Sequence, residues 1–291
     1  MRPTDIAIAL FRELTQTQPL ERLPEPEMLM EEQEQVAAYA ESGRTQDGVM
    51  AAANLFHSAR ASMVIARSRR VLDLGCGPAT QLARIARLNP DISFVGAELS
   101  AAMLENGRQH IAELGLGNVE LVEDDITRLE TVGDGSVDAV ISTMTLHHLP
   151  TLDHLRECFR QIRRVLRPGG AVYLADFGRL RSKEAVHLFA HMHENSLPPV
   201  VVTDYENSLR AAFSLDEYRA LTAETFEPAV TVRSTAVVPV MVLVKTQDLP
   251  LAPDVVAQLH RERARLSPAY RGELDSLRRF FRLGGLRNDP F

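Results

Sequence analysis

The chain has no tryptophan, only two cysteines (Cys76 and Cys158) and only two lysines among its 32 basic residues. Two cysteines cannot form a disulfide framework, so we expect a reducing, cytoplasmic environment. No apolar run approaches the roughly 18–20 residues that a membrane span needs, which excludes a membrane-spanning helix. The N-terminal stretch has acids too early, and an apolar run too short, for a secretory signal peptide.

The chain also has fewer basic than acidic residues: 32 against 39, which gives a net charge of −7. A phosphate backbone attracts clustered positive charge, so this balance argues against a nucleic-acid partner. Residues 1–50 carry ten acids and four arginines, whereas residues 260–291 carry eight arginines and four acids. We interpret the basic tail first as a solvated helix face, and second as a surface that contacts an acidic arm of the same or another subunit.

Short apolar runs alternate with amphipathic helices from Arg70 onwards, which predicts a parallel, doubly wound α/β sheet with right-handed crossovers. Five such runs predict strands, at residues 71–74, 93–97, 119–122, 137–142 and 171–175. The proline and glycines of residues 167–170 predict a turn before the fifth strand. Two further β-rich runs, at 229–235 and 240–245, lie close enough to pair as an antiparallel hairpin at the sheet edge. We therefore expect seven strands, most of them parallel.

The same patterns divide the chain into three parts. Residues 1–67 have helical spacing and no chemical motif, which predicts a helical cap or lid. Residues 68–248 form the predicted core, which an insert at 179–213 interrupts. Within this insert we expect a helix at 184–193 and then a loop through 196–208. Residues 249–291 predict an arginine-rich helical tail.

A glycine-rich turn follows the first strand within the stretch VLDLGCGPAT, residues 71–80. Gly75 and Gly77 let a ligand approach the backbone at the carboxyl end of a buried strand. A nicotinamide dinucleotide site also uses such a turn, but Thr80 stands where its third glycine would be. Glu98 closes the second strand 21 residues after Gly77. A carboxylate at this place can bind ribose hydroxyls in a dinucleotide or an adenosyl ligand.

An acidic pair, Asp124 and Asp125, follows the third strand directly and is followed by Ile126. An acid at this place can accept a hydrogen bond from an adenine amino group. A solvated turn is an equally good interpretation of the same residues.

Five motifs, in order and at matching spacing, resemble the class I S-adenosylmethionine (SAM)-dependent methyltransferases. They are VLDLGCGPAT, GAELSAAML, EDDI, DAVISTMTLHHL and VLRPGG. The resemblance covers about residues 68–178, and the hairpin at 229–245 is similar to the last two strands of the family. The acid Asp73 in the first motif and Leu-His-His-Leu after the fourth strand favour this family over dehydrogenases.

The resemblance implies a set of contacts to the methionine part of SAM. Gly75 and Gly77 would face it, with Asp73 ordering their loop. The end of the fourth strand, at Thr143, would contact it through backbone groups. Tyr39 is our candidate for the tyrosine that reaches the SAM carboxylate in many relatives, and a half-buried core tyrosine is the alternative.

The adenosine part has its own implied contacts. Glu98 would hold the ribose in place of the family's usual aspartate, and Leu99 would pack on the adenine. Asp125 would accept from the adenine amino group, and the Ile126 amide would donate to a ring nitrogen.

Methyl transfer depends mainly on orientation and desolvation, so it has no absolute need of a dedicated base. Where the acceptor must lose a proton, we expect His147, Asp176 and Tyr205 to act, with His148 as a further candidate. Packing and hydrogen bonding at a helix start is the alternative role of the two histidines.

A histidine-rich stretch in the insert raises the question of a metal. His187 and His191 lie four residues apart on a predicted helix, and this spacing presents two imidazoles to one ion. His193 and Glu194 follow them, but no third ligand stands out in the sequence. We therefore assign no metal and interpret the stretch as a helix surface or as a wall of the acceptor pocket.

The sequence thus predicts a SAM-dependent methyltransferase that acts on a small metabolite or natural product. Nucleic acid and membrane are not expected as partners, and a homodimer through the N- or C-terminal helices is possible. Two alternatives stay open. One is an enzyme that attacks another carbon of the sulfonium and releases methylthioadenosine, and the other is a SAM-binding scaffold without catalysis. The acceptor itself cannot be deduced, since this fold supports methylation at oxygen, nitrogen, carbon and sulfur.

Overall fold

A computed structural model describes residues 3–26, 33–45, 47–226 and 228–291 of the chain. The strands are β1 (Arg70–Leu74), β2 (Ser93–Glu98), β3 (Val119–Glu123), β4 (Val137–Thr143), β5 (Leu166–Phe177), β6 (Thr231–Ser234) and β7 (Met241–Lys245). The helices before β5 are α1 (Pro3–Thr15), α2 (Gln33–Arg44), α3 (Ala51–Ile65), α4 (Thr80–Leu88), α5 (Ala101–Glu113) and α6 (Leu152–Val165). Those after it are α7 (Lys183–His191), α8 (Pro199–Ala211), α9 (Leu215–Thr225), α10 (Pro253–Arg265) and α11 (Pro268–Leu283).

The strands form one seven-stranded sheet in the order β3-β2-β1-β4-β5-β7-β6. The first five of these strands are parallel, and β7 pairs antiparallel with both β5 and β6. The predicted doubly wound sheet with its antiparallel edge hairpin is confirmed.

Helices cover both faces of the sheet, which is why the central strands are apolar on both sides. On one face, α3, α4 and α11 contribute Phe56, Leu82 and Phe281 to a hydrophobic cluster. On the other face, α6 contributes Phe159 to a second cluster, which also contains Leu72 of β1. The sheet is therefore held rigidly between two cores.

Two helix starts follow from the local sequence. The Ser100 hydroxyl accepts a hydrogen bond from the Met103 amide at 3.2 Å and so caps α5. At α9, Ser214 and Glu217 form a complete capping box. Serine is among the residues that helix starts favour, and a glutamate three residues later completes the capping box.

Two segments differ from the predictions. Residues 167–170 were predicted to form a turn but are part of β5. The register of pairing with β4 shifts between Leu166 and Ala171, so the segment is an irregularity within the strand. The predicted loop at 196–208 lies almost wholly in α8. Its two prolines suggested a break, but Pro199 occupies the first helical turn, where a missing N–H costs nothing.

The N-terminal helix α1 packs against α7 of the insert. Glu13 of α1 is fully buried, and its carboxylate accepts hydrogen bonds from the backbone amides of Arg181 and Ser182, at 2.9 Å. Burial raises the pKa of Glu13 despite these hydrogen bonds. Hydrogen bonds thus connect the N-terminal segment to the insert. The division of the chain at residues 67 and 248 stays a prediction. Residues 1, 2, 27–32 and 46 of the predicted cap lie outside the described residues.

The C-terminal helices pack on α3 rather than standing free in solvent. Phe281 stacks on Phe56 with ring centroids 5.1 Å apart. Arg60 of α3 forms a buried ion pair with Asp248 at 3.0 Å and donates a hydrogen bond to the carbonyl of Arg287. We interpreted the basic tail, residues 260–291, first as a solvated helix face. That interpretation therefore describes only the outer side of these helices.

This packing predicts that Phe281→Ala lowers the free energy of unfolding by about 3–5 kcal/mol, because it empties a fully buried site. Phe280→Ala is the matched control, since Phe280 is the next residue and is 44% exposed. We expect the control to change stability by less than about 0.5 kcal/mol. Urea unfolding of both variants measures the difference, and equal losses would contradict the docking of the tail.

Candidate functional site

Polar side chains gather where the parallel strands β1, β2, β4 and β5 end. The carboxyl ends of parallel strands meet on one edge of the sheet, where such folds bind ligands. β2 ends at Glu98, β4 ends at Thr143, and Asp176 is the second-last residue of β5. The loop after β1 contains the two glycines that the sequence analysis identified.

The glycine loop needs its glycines for two different reasons. Gly75 has a φ of +62°, and a side chain there would overlap with Thr145, whose hydroxyl donates to the Gly75 carbonyl at 3.0 Å. Gly77 has a φ of +53°, and apart from its two chain neighbours none of the described residues has an atom within 4 Å of the place of its missing Cβ. Gly77 therefore leaves an open surface that a ligand can approach.

Glu98 connects the end of β2 to this loop. Its Oε1 accepts hydrogen bonds from the amides of Leu99 and Ser100 at 2.9 Å, and its Oε2 accepts one from the Gly77 amide at 3.0 Å. A carboxylate oxygen has two lone pairs, so Oε2 keeps one acceptor site for a ligand hydroxyl. The sequence separates Glu98 and Gly77 by 21 residues, and the fold brings them into contact.

Asp73 lies beneath the glycine loop and is only 3% exposed. Among the described residues, none donates a hydrogen bond to its carboxylate. Burial raises the pKa of Asp73 well above its usual value, and the charge of Glu98 raises it further. A buried carboxylate without a partner is costly, so this position favours a ligand that brings a cation or a hydrogen-bond donor.

The acid after β3 has a local role in the structure. The Oδ1 of Asp125 accepts from the Thr127 amide at 2.8 Å and from its hydroxyl at 2.7 Å, and so stabilises a turn. Its Oδ2 lies 3.9 Å from the guanidinium of Arg128. Ile126 packs against the second core cluster. The contacts to adenine predicted for Leu99, Asp125 and Ile126 stay predictions.

A histidine and a buried aspartate form a pair at the other end of the edge. His147 lies in a 3₁₀ turn after β4, and its Nδ1 is 2.6 Å from Asp176 Oδ1. Asp176 Oδ2 accepts from the His147 amide at 3.0 Å, and Oδ1 also accepts from the Phe177 amide. A carboxylate that accepts a hydrogen bond here assigns the donor role to Nδ1, so Nε2 is the ring nitrogen left to meet a ligand. Asp176 thus orients His147 and has no oxygen left uncommitted.

Glu25 completes this cluster, although no sequence signal pointed to it. Its Oε1 lies 3.7 Å from His147 Nε2, and its Oε2 lies 2.5 Å from His148 Nδ1. The hydroxyl of Ser208 on α8 donates to Oε1 at 2.7 Å. Glu25 was one of ten acids in the first 50 residues, and only the fold distinguishes it from the others.

Arg22, three residues before Glu25, holds the same N-terminal segment in place. Its guanidinium donates to the carbonyls of His147 at 2.9 Å and of Leu149 and Pro150 at 2.6 Å. It also lies 4.0 Å from the ring centroid of Phe213. Arg22 therefore fixes the 3₁₀ turn that carries both histidines, and the sequence analysis missed it as well.

Glu25 and His148 shift each other's pKa. Burial would lower the pKa of His148, but the hydrogen bond and charge of Glu25 outweigh burial and raise it. Burial would likewise raise the pKa of Glu25, but His148 lowers it. Asp204 on α8 has a raised pKa, because it is buried and lies close to the charge of Glu25. The cluster therefore favours a protonated His148 paired with an ionised Glu25.

Two tyrosines with raised pKa values lie near the cluster. Burial raises the pKa of Tyr205 to about 12, and its ring lies 5.3 Å from that of Phe177. Tyr39 is 37% exposed, yet burial in the cleft and the charges of Asp204 and Glu98 raise its pKa to about 12. Neither phenol ionises near neutral pH, so this chemistry suits hydrogen-bond donors or ring walls better than bases.

Comparisons with known proteins agree with this fold. Residues 71–170 match the model of a methyltransferase domain family. The chain is 30% identical over 151 residues to 27-O-demethylrifamycin SV methyltransferase of Amycolatopsis mediterranei (strain S699), over 52% of this chain and 51% of that protein. It is 32% identical over 116 residues to the ubiquinone/menaquinone biosynthesis C-methyltransferase UbiE of Pseudomonas savastanoi pv. phaseolicola (strain 1448A / Race 6), over 39% of this chain and 44% of that protein.

A solved O-methyltransferase family protein from Burkholderia thailandensis has the same fold, with a TM-score of 0.54 and 19% identity over 84% of this chain and 69% of that one. The chain spans about half the length of the curated relatives it matches. Residues 71–170 thus match a methyltransferase domain, and the comparisons support a class I SAM-dependent methyltransferase. SAM is the cofactor that this family implies.

The pairing of Glu25 with His148 predicts how the pKa of His148 responds when Glu25 is replaced. In the unaltered protein, we expect the imidazole of His148 to titrate above its usual pKa of about 6.5. In Glu25→Gln the carboxylate charge is gone while burial remains, so the pKa of His148 should fall below that value. NMR titration of the histidine ring protons measures both pKa values. An unchanged His148 pKa in the variant would contradict the pairing.

Proposed function

We propose that this protein transfers a methyl group from SAM to a small-molecule acceptor. One observation carries the proposal: a ligand-accessible glycine loop with two carboxylates lies at the same sheet edge as an oriented histidine–carboxylate cluster. The first half has the chemistry to bind an adenosyl amino acid. The second half has the chemistry to bind and deprotonate an acceptor.

The residues of the first half fit SAM chemically. The unpartnered carboxylate of Asp73 suits the ammonium group of the methionine part. Gly77 leaves its backbone open to a ligand, and Gly75 allows the turn to pack against Thr145. The remaining acceptor site on Glu98 suits a ribose hydroxyl. Tyr39, near the charge of Glu98, is placed to contribute a phenol hydrogen bond to the methionine carboxylate.

The adenine would lie beyond Glu98. Leu99 offers an apolar side chain for its ring, and Asp125 and the Ile126 amide offer an acceptor and a donor. Asp125 Oδ1 is already bonded to Thr127, so Oδ2 is the oxygen that would accept from the adenine amino group. The backbone at Thr143 would contact the methionine part from the side of β4.

When bound, SAM supplies a methyl carbon that its sulfonium charge activates toward nucleophiles. The role of the protein is to hold the acceptor atom in line with the methyl carbon and the sulfur of SAM, and to exclude water. Positioning of this kind is equivalent to an effective concentration of about 10⁵ M or more. Helix α8 and the segment around Glu25 form a wall beside the cluster and would restrict water there.

The proton of an acceptor hydroxyl or amine would pass to His147. Asp176 holds the Nδ1–H of His147, so in the neutral ring Nε2 is the nitrogen that would accept the proton, and it lies 3.7 Å from Glu25 Oε1. Asp176 then stabilises the imidazolium that forms, in the manner of a buried orienting carboxylate. Asp176 is a positioning residue in this scheme. Tyr205, whose pKa is raised to about 12, would donate a hydrogen bond or form a pocket wall.

A small acceptor is supported by the acidic lining and by relatives whose names specify a rifamycin and a quinone pathway. Those names include both O- and C-methylation, so the methylated atom is left open here. The net charge of −7 also disfavours nucleic acid as the acceptor. In the described part of the chain, no helix combines the length and the apolar character that crossing a bilayer requires.

A homodimer through the N-terminal helices remains a proposal. Ile8, Phe11 and Leu14 on α1 are between 52% and 67% exposed, which is unusual for large apolar side chains on one short helix. A cytoplasmic location also remains a prediction.

We expect Glu98→Ala to weaken SAM binding by about 1.5–3 kcal/mol, because charge-assisted hydrogen bonds to the ribose and to the glycine loop are lost. Glu123→Ala is the matched control, since Glu123 pairs opposite Glu98 on β3 and is exposed. Calorimetric titration with SAM compares the three proteins. Equal SAM affinity in Glu98→Ala and the unaltered protein would refute the ribose assignment.

For the transfer step, acceptors are first found by incubating the protein with SAM and a metabolite extract, with S-adenosylhomocysteine and a product heavier by one CH₂ as readouts. His147→Ala should then lower turnover by about 10²–10⁴-fold while SAM affinity is retained. His260→Ala, an exposed histidine on α10, is the control and should keep full turnover.

Near-normal turnover of His147→Ala would remove His147 from catalysis. Release of methylthioadenosine in place of S-adenosylhomocysteine would overturn methyl transfer in favour of attack on another carbon of the sulfonium. SAM binding without any turnover would support the scaffold alternative.

A further inference from the structure

Helices α7 and α8 of the insert bring three metal-ligating side chains together outside the site described above. His187 and His191 lie one turn apart on α7, as the spacing predicted, and their rings are 4.1 Å apart. No third ligand stood out in the sequence, where residues 196–208 were interpreted as a loop. The structure makes that segment helical, and Glu206 of α8 faces the two histidines.

The geometry of these three side chains fits one ion. One ligand atom from each lies within 4.8 Å of the other two. His191 Nε2 and Glu206 Oε2 are 3.4 Å apart. This contact is a long hydrogen bond in the structure. Two ligands at about 2.0–2.1 Å from a tetrahedral zinc ion are also separated by about 3.4 Å, so the same spacing suits coordination.

A carboxylate also orients one of the histidines. Glu194 Oε2 lies 2.8 Å from His191 Nδ1 and so turns Nε2 toward Glu206. Histidine ligands of metals in proteins usually have their second ring nitrogen bonded to such a group, which fixes the tautomer and raises the basicity of the ligand. The other oxygen of Glu206, Oε1, lies 3.8 Å from Arg210, so its Oε2 is the one available to an ion.

We propose that His187, His191 and Glu206 bind a divalent transition-metal ion, with zinc as the best match to two imidazoles and one carboxylate. Glu194 is the positioning residue, and water would occupy the remaining coordination position. His187 is exposed, which gives an ion a route in from solvent.

The bound ion would link α7 to α8. Because α8 also carries Ser208, which donates to Glu25, the ion would stabilise the wall beside the histidine cluster. Its role would be structural, and the proposal is independent of the methyl-transfer step.

A second group of the same composition, Glu25, His147 and His148, fits an ion less well. Glu25 Oε2 and His148 Nδ1 are only 2.5 Å apart, which is a hydrogen-bond distance and too short for two ligands of one ion. His147 Nδ1 is held by Asp176 in the same way as His191 Nδ1 is held by Glu194, so orientation alone does not distinguish the groups. An experiment must therefore separate the two.

The test measures binding of Zn²⁺ to the full chain by competition with a chromophoric chelator, and of Co²⁺ by its visible absorption. We expect one equivalent of Zn²⁺ to bind, and the Co²⁺ spectrum to be that of a tetrahedral or five-coordinate ion with nitrogen and oxygen ligands. His187→Ala and Glu206→Gln should each weaken Zn²⁺ binding by more than about 100-fold, since each removes a ligand, and Glu194→Gln by about 10-fold. His193→Ala, a neighbouring histidine outside the group, is the matched control and should bind as the unaltered protein does.

The proposal is overturned if the unaltered protein binds no Zn²⁺ more tightly than the His187→Ala, His191→Ala double variant does. It is equally overturned if His187→Ala and Glu206→Gln keep full affinity while His148→Ala loses it, because the ion would then occupy the other group. The thermal unfolding temperature gives a second readout. Zn²⁺ should raise it in the unaltered protein and leave it unchanged in Glu206→Gln.

Discussion

The parallel direction of the first five strands is the constraint on which the rest of this structure depends. It forces residues that are far apart in sequence, such as Asp73, Glu98 and Asp176, to one edge of the sheet. Two apolar cores, one on each face, keep the strands in this register. Glu98 then ties the glycine loop to β2, and Asp176 ties the 3₁₀ turn to β5. The candidate site is therefore rigid where it meets the sheet, and its carboxylates are positioned before any ligand arrives.

The N-terminal segment adds Arg22 and Glu25 to the residues at the sheet edge. Arg22 donates hydrogen bonds to carbonyls of the 3₁₀ turn. Glu25 contacts His147, His148 and α8. These contacts link a segment from the start of the chain to the insert between β5 and α9. The result is a cluster in which the carboxylates outnumber the histidines, with pKa shifts in opposite directions for Glu25 and His148. Such opposed shifts are typical of a buried ion pair, because each partner stabilises the charged form of the other.

The parallel strands, the antiparallel edge hairpin and the glycine loop were predictable from the sequence, because buried parallel strands are continuous apolar runs and positive φ angles favour glycine. His147 was found from its motif, and its contact with Asp176 follows from the adjacency of β4 and β5. Glu25 and Arg22 were not predictable, since nothing local distinguishes them from other surface charges. Helix α8 was missed because a proline pair reads as a break, although Pro199 suits the first turn of a helix. That error also hid Glu206.

Hydrogen exchange with and without SAM tests most directly whether the cofactor lies at this edge of the sheet. The account predicts slower exchange of backbone amides in peptides that cover residues 73–80, 98–104 and 124–128, because the ligand would cover the glycine loop and the ends of β2 and β3. Peptides from α10 and α11, on the far side of α3, should exchange at unchanged rates. Protection confined to α10 and α11, or no change in any peptide at saturating SAM, would contradict the central claim.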